Sequence, residues 1–187
     1  MSRKDIRYEQ FPDNLTEEEK KAIRMWLGVY HEDIRLYQLC GVCPNGMSKA
    51  EIGSLETRFS SALSKAVLCA EIVFRGLWAT NLRTERIKHI RSWIEGCKET
   101  TIHSHDSATI SEEIGRSWAE GPDCENPNLS VLLRIKSRTA RYIEPFQHAH
   151  CNEFEVVMLK GSSYRRTRAT KVKSANEFWE IDLEEIA

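Results

Sequence analysis

Apolar residues recur at helical spacing through the first third of the chain. Behind Thr16 and the run Glu17–Glu19 come Ile23, Trp26, Leu27, Tyr30, Ile34 and Tyr37, which predicts an amphipathic helix. Thr16 with Glu19 three positions later is a capping-box pattern, in which hydroxyl and carboxylate each bond the other's backbone N–H. Gly41 and Pro44 close that region. A second helix is predicted from about Ser48 to Leu68, with Ile52, Leu55, Phe59, Leu63 and Ala66 on one face. The pattern then shortens. Glu71 to Phe74 is a β-like run that ends at Arg75-Gly76. Ile87, Ile90, Trp93 and Ile94 predict a helix over Thr84–Glu95, stopped by Gly96. A shorter helix is predicted from Glu112 to Ala119. The stretch Gly121–Asn128 is turn chemistry throughout. Four strand candidates follow: Val131–Ile135, Phe154–Leu159, Tyr164–Val172 and Phe178–Leu183. Helices first and strands later predict an α+β domain, not a doubly wound parallel sheet.

A chain of 187 residues, 41% of them hydrophobic, suits one domain with a real core. Its helical part is expected over 1–68 and its strand-rich core over 69–187. A net charge of −1 offers no broad basic field for nucleic acid or acidic lipid. The basic run Arg165–Lys173 alternates, and reads as the solvent face of a strand. The six cysteines at 40, 43, 69, 97, 124 and 151 read as reduced thiols, not a disulfide framework. Cys40-x-x-Cys43 and His148-x-His150-Cys151 lack the repeated ligand pairs of a zinc site, so no metal is expected. The first fourteen residues, MSRKDIRYEQFPDN, hold no signal-peptide apolar stretch, and no apolar run reaches about 18 residues. The expected setting is cytosol, of the producing cell or of a cell into which the protein is delivered.

Three short pieces carry chemistry: Val73-Phe-Arg75-Gly-Leu77; Asp106-Ser107-Ala-Thr109-Ile-Ser111, followed by Gly115 and Trp118; and Asn152-Glu153-Phe-Glu155, which runs through an apolar stretch into Gly161-Ser-Ser-Tyr164. Each alone is weak. Glutamates two apart on a strand share a face, and so do Ser107 and Thr109 if that segment is extended. Ser107 also suits a helix cap, but Ser111 is better placed to cap a helix starting at 112.

In order, spacing and flanking residues these pieces resemble the arginine–serine–glutamate clade of mono-ADP-ribosyltransferases, the family of bacterial toxins, effectors and phage enzymes. The resemblance runs from about Leu55 to the C-terminus. The chain has Ser-Ala-Thr where the family has Ser-Thr-Ser, and Gly115 and Trp118 where alanine and phenylalanine are usual. His103 and His105 stand where an aromatic is more common. The resemblance implies two packed β-sheets forming an NAD cleft beside an N-terminal helical region. It implies NAD⁺ as substrate and a protein acceptor.

The same resemblance implies roles for single residues. Glu155 is the catalytic carboxylate, bonding the ribose 2′-hydroxyl as the glycosidic bond breaks with oxocarbenium character. Glu153 faces the acceptor, and two glutamates in this pattern go with an arginine side chain as the modified group. Arg75 and Gly76 bind the cofactor, with the guanidinium on a phosphate. Ser107 and Thr109 line the nicotinamide-ribose side, and Ser107 holds the rotamer of Glu155. The segment Tyr142–Cys151 is the acceptor-recognition loop, with Phe146 at its tip. Gly121–Asn128 closes over the cofactor. Two alternatives stand beside transfer: an NAD⁺ glycohydrolase toxin, and a non-catalytic binding module that kept the fold.

Overall fold

The computed structural model describes residues 14–43, 46–77, 91–96, 98–120, 130–143, 154–173 and 177–186. Helix α1 (Glu17–Met25) starts on the expected capping box, with both Thr16–Glu19 bonds present. A kinked five-residue segment, Trp26–Tyr30, follows, in which Gly28 departs from helical geometry at φ −92°, ψ −131°. Helix α2 (His31–Cys40) ends on Gly41 in the left-handed conformation, φ 68°, where glycine carries no Cβ penalty. Helix α3 (Lys49–Lys65) repeats the capping box with Ser48 and Glu51. It stops three residues short of the predicted Leu68, which instead forms an isolated bridge with Arg141. Residues 91–95 are helical. The remainder of the helix expected over 84–95 lies outside the described residues.

The strands are β1 (Ile72–Leu77), β2 (Glu99–Thr101), β3 (Asp106–Thr109), β4 (Val131–Lys136), β5 (Arg141–Tyr142), β6 (Glu155–Met158), β7 (Ser163–Val172) and β8 (Phe178–Ile186). Helix α4 (Glu112–Glu120) lies between β3 and β4. The ladder runs β2-β7-β8-β4-β1-β3-β6-β5. All pairings are antiparallel except β4 with β8. One joint differs from the rest: β1 meets β3 at a single residue pair, Phe74 with Thr109. That thin seam divides the ladder into a five-stranded and a three-stranded sheet. The two sheets of the expected fold are therefore joined at one hinge of backbone.

The burial pattern follows from this division. Val73, Leu77, Leu133, Ile135, Ile181 and Leu183 of the larger sheet form one core with Ala108, Val156 and Met158 of the smaller. The outer face of the larger sheet buries Phe74, Leu132 and Phe178 against Ala119 of α4. On the outer face of the smaller sheet, Val157 joins Ile143 in a third cluster with Ile23, Trp26, Ile52, Phe59 and Leu63 of the N-terminal helices. The order is helix, large sheet, small sheet, helices. Period-two alternation thus sends Phe74 and Gly76 toward α4, and Val73, Arg75 and Leu77 between the sheets. Tyr142 and Ile143, expected at the start of the acceptor loop, are core residues instead.

The basic run on β7 is paired, as a solvated strand face requires. Arg165 meets Glu99, Arg168 meets Asp182, and Lys171 meets Glu177. Such exposed pairs contribute about 0–1 kcal/mol each.

Gly76 and Gly115 let β1 and α4 touch. A Cβ on Gly76 would stand 2.3 Å from the Ala119 nitrogen and 2.3 Å from the Gly115 oxygen, both backbone atoms. On Gly115 it would stand 2.6 Å from the Phe74 Cβ. Neither neighbour is a flexible side-chain end. Gly76→Ala is expected to destabilise the fold by about 3 kcal/mol, the upper range for overpacking. A urea unfolding series would read this as a lower midpoint, and an unchanged midpoint would show that α4 shifts freely.

Candidate functional site

The seam opens a cavity of about 370 Å³. One wall comes from the N-terminal helices: Trp26, Leu27, Gly28, His31, Glu32 and Arg35. The other comes from strand ends and α4: Arg75, Gly76, Leu77, Ser107, Trp118 and Glu155. The volume lies within the range of small-molecule sites, and half of the lining residues are polar or charged, as a charged ligand requires. Four of the six residues singled out as catalytic or cofactor-binding therefore share one concavity: Arg75, Gly76, Ser107 and Glu155.

Glu155 is the first residue of β6 and only 6% exposed. Its Oε1 accepts from Ser107 Oγ at 2.7 Å and from Trp26 Nε1 at 3.1 Å. Register explains the first bond. Ser107 pairs with Val157 and Thr109 with Glu155, so Ser107 and Glu155 are diagonal neighbours on one face. The residue before Glu155 is unusual. Phe154 has φ 50°, a left-handed conformation that costs about 1–3 kcal/mol in a non-glycine residue and clusters at functional sites. The strand expected from Phe154 begins one residue later, at Glu155, because Phe154 is not extended. Glu153 itself lies outside the described residues, as do Phe146 and the Gly121–Asn128 loop.

Arg75 is buried at 7% exposure. Its guanidinium donates to the Ser107 carbonyl through Nη1 and to Asp106 Oδ1 through Nη2 at 3.3 Å. Arg35 of α2 pairs with the same Asp106 oxygen at 2.8 Å and with Glu32 at 3.2 Å. Two guanidinium groups thus meet on one buried carboxylate at the cavity edge. Thr109 takes another position. It is fully buried, its Oγ1 accepts the Ser111 N–H at 3.0 Å, and it is not among the lining residues. Its role here is to turn the chain into α4, whose Ile114 N–H bonds Ser111 Oγ at 3.4 Å. Gly76 lines the cavity, and the packing of α4 accounts for its missing side chain. Among the described residues no group of three or more His, Cys, Asp and Glu side chains gathers as metal ligands.

Reading the residues in sequence missed Trp26, Arg35 and Asp106. Trp26 sat on an apolar helical stripe, where its indole N–H carries no pattern. Asp106 was adjacent to Ser107 and Arg35 was one of many helix-surface cations. Only their meeting across the seam distinguishes them.

His105 braces this wall. Its Nδ1 accepts the Lys160 N–H at 3.1 Å, so the proton sits on Nε2 and is shared with Ser60 Oγ at 3.0 Å. Ser60 passes a bond to Glu56, and Gln38 joins Glu56 to the His105 backbone. The imidazole packs edge-on to Phe59 and Trp26. Burial pushes its pKa down to about 4.

No family model and no curated protein sequence matches this chain. Its fold is that of the ADP-ribosyltransferase toxins. The Vis toxin of Vibrio splendidus, in complex with agmatine, is 17% identical and superposes with TM-score 0.74 over 98% of this chain and 81% of that one. Plx2a of Paenibacillus larvae is 16% identical, with TM-score 0.67 over 98% and 92%. The toxin BECa of C. perfringens, solved with NADH, is 20% identical, with TM-score 0.68 over 92% of this chain and 44% of its own.

The low pKa of His105 has a direct consequence for stability. The unfolded imidazole takes a proton near pH 6.5 and the folded one only near 4, so the unfolded state binds more protons in between. Stability is full above pH 6.5 and falls as pH drops, by about 2 kcal/mol between pH 7 and 5. In urea unfolding at the two pH values, His105→Gln should be less stable at pH 7 and lose this part of the slope. An equal slope in the variant would place the acid sensitivity elsewhere.

Proposed function

We propose that this protein transfers ADP-ribose from NAD⁺ to an arginine side chain of a protein acceptor, with Glu155 as the catalytic carboxylate. One observation carries the reading: Arg75, Ser107 and Glu155, 80 positions apart at the extremes, line one cavity at the junction of two sheets. The arrangement suits the reaction. In it the bond between ribose C1′ and the nicotinamide nitrogen breaks, and its electron pair leaves with nicotinamide. Glu155 supplies a fixed negative charge where positive charge develops, which favours the transition state over the ground state. Ser107 holds that carboxylate from below. Arg75 and Arg35 present planar, permanently charged forks suited to a diphosphate. Trp26 and Trp118 supply apolar walls. No metal is assigned a part.

An arginine acceptor rests on Glu153. A carboxylate matches a guanidinium as a bidentate fork. It also takes up the proton that the attacking nitrogen loses as the new C1′–N bond forms. The Vis structure that superposes on this chain holds agmatine, itself a guanidine, and the BECa structure holds NADH. Both are in keeping with a dinucleotide donor and a guanidinium acceptor. The setting consistent with this reading is the cytosol of the producing cell or of a target cell, where NAD⁺ is available.

The test measures nicotinamide release and label transfer together, from NAD⁺ carrying a tagged adenosine, with agmatine or a cell lysate as acceptor. Wild-type protein is expected to do both. Glu155→Gln should lower both by about 10²–10³-fold, the scale of one lost transition-state charge contact. Glu153→Gln should lower transfer to agmatine at least about tenfold more than it lowers hydrolysis. Release without any acceptor label would identify a glycohydrolase. No release and no label, with NAD⁺ bound, would leave a binding module.

A further inference from the structure

We infer that Trp26 is a positioning residue for Glu155, so that the N-terminal helices form part of the catalytic apparatus. This rests on the transfer reaction proposed above. The two residues are 129 positions apart, yet the Trp26 indole N–H lies 3.1 Å from Glu155 Oε1. Trp26 is 1% exposed and Glu155 6%. The bond is therefore shielded from water, where a hydrogen bond to a charged group is strong. Ser107 reaches the same oxygen from the neighbouring strand. Two donors arriving at Oε1 from a helix and a strand fix the carboxylate's direction more firmly than either alone.

The indole is in turn held independently of Glu155. It stacks on Phe59 of α3 with ring centroids 4.4 Å apart and planes 13° apart, within the offset-stacked range. His31 and His105 meet its edges at 6.4 Å. An indole nitrogen donates only, so it can satisfy the carboxylate in one orientation and cannot rotate to accept. The backbone is also specialised here. Trp26 opens the five-residue segment in which Gly28 kinks the chain between α1 and α2. That segment places Trp26, Leu27 and Gly28, consecutive in sequence, on the cavity wall.

A packing role and a positioning role separate by kinetics. Trp26→Phe keeps an aromatic ring on Phe59 and removes the N–H. In the nicotinamide-release assay, kcat is expected to fall about 10- to 100-fold, as for one hydrogen bond to a charged group, with KM for NAD⁺ within about twofold. Ser107→Ala acts on the same oxygen, so the double variant should lose less than the product of the two single losses. Replacing Trp26 with benzothienylalanine, which has the shape of tryptophan but sulfur in place of N–H, should reproduce the kcat loss with an unchanged melting temperature. Wild-type kcat in that analogue overturns the inference, even where Trp26→Phe fails to fold. A raised KM with unchanged kcat, or fully multiplicative losses with Ser107→Ala, overturns it as well. In each of these cases an active wild-type protein leaves the transfer reaction standing. A wild-type protein that releases no nicotinamide overturns both.

Discussion

The structure turns on one buried carboxylate. Removing an ionised glutamate from water costs several kcal/mol unless donors replace the lost hydration. Glu155 is all but sealed, so it needs them. They come from two distant parts of the chain: Ser107 on the adjacent strand and Trp26 on the first helical segment. Each donor must be carried to the same oxygen by its own element. The register of β3 against β6 does this for Ser107, and the cluster beneath the small sheet does it for Trp26. The N-terminal helices are thus part of the site's construction, since they carry one of the two donors to Glu155.

The seam between β1 and β3 is the second constraint. A full ladder at that joint would make one continuous sheet and close the space beside Arg75. With a single paired residue, the two sheets face each other across an apolar core. The polar end of that interface is then open to ligand. Arg75 sits on the inward face of β1, at the point where backbone pairing fails. Its bond to the Ser107 carbonyl stands in for a missing ladder bond. The same side chain that presents a cation to the cavity therefore also mends the gap that creates it.

Much of the scaffold was legible in the residues. The capping box at Thr16, the α+β order and the four longer strands follow from spacing and punctuation alone. Short elements were not legible. Strands of two or three residues, such as β5 and β2, have no room to show a period. The kink at Gly28 also escaped, because the apolar spacing continues through it from Trp26 to Tyr37. The motif pieces pointed to Arg75, Ser107 and Glu155, but the strand expected from Phe154 starts at Glu155, because Phe154 has a left-handed backbone. Thr109 lies outside the cavity lining, and its hydroxyl accepts a bond from the chain entering the next helix. Propensity reads what a residue does locally. It cannot read a bond whose partner lies 129 positions away.

The polar groups of the cavity are bonded to one another within the protein itself. Asp106 holds Arg75 and Arg35 together, and Glu32 holds Arg35 from the other side. Like charges so close would repel were the shared carboxylate absent. Such a lattice fixes directions before any ligand arrives, and preorganised charge is what gives an enclosed site its advantage over water. The rigidity comes from the apolar layers on either side, which hold both walls. Glycine is tolerated at 76 and 115 because α4 must lie directly on β1, and this contact sets the position of Trp118 at the cavity mouth. Packing between layers and chemistry at the seam are for that reason one design problem. A change at the β1–α4 contact moves a wall of the site, although no atom there touches Glu155.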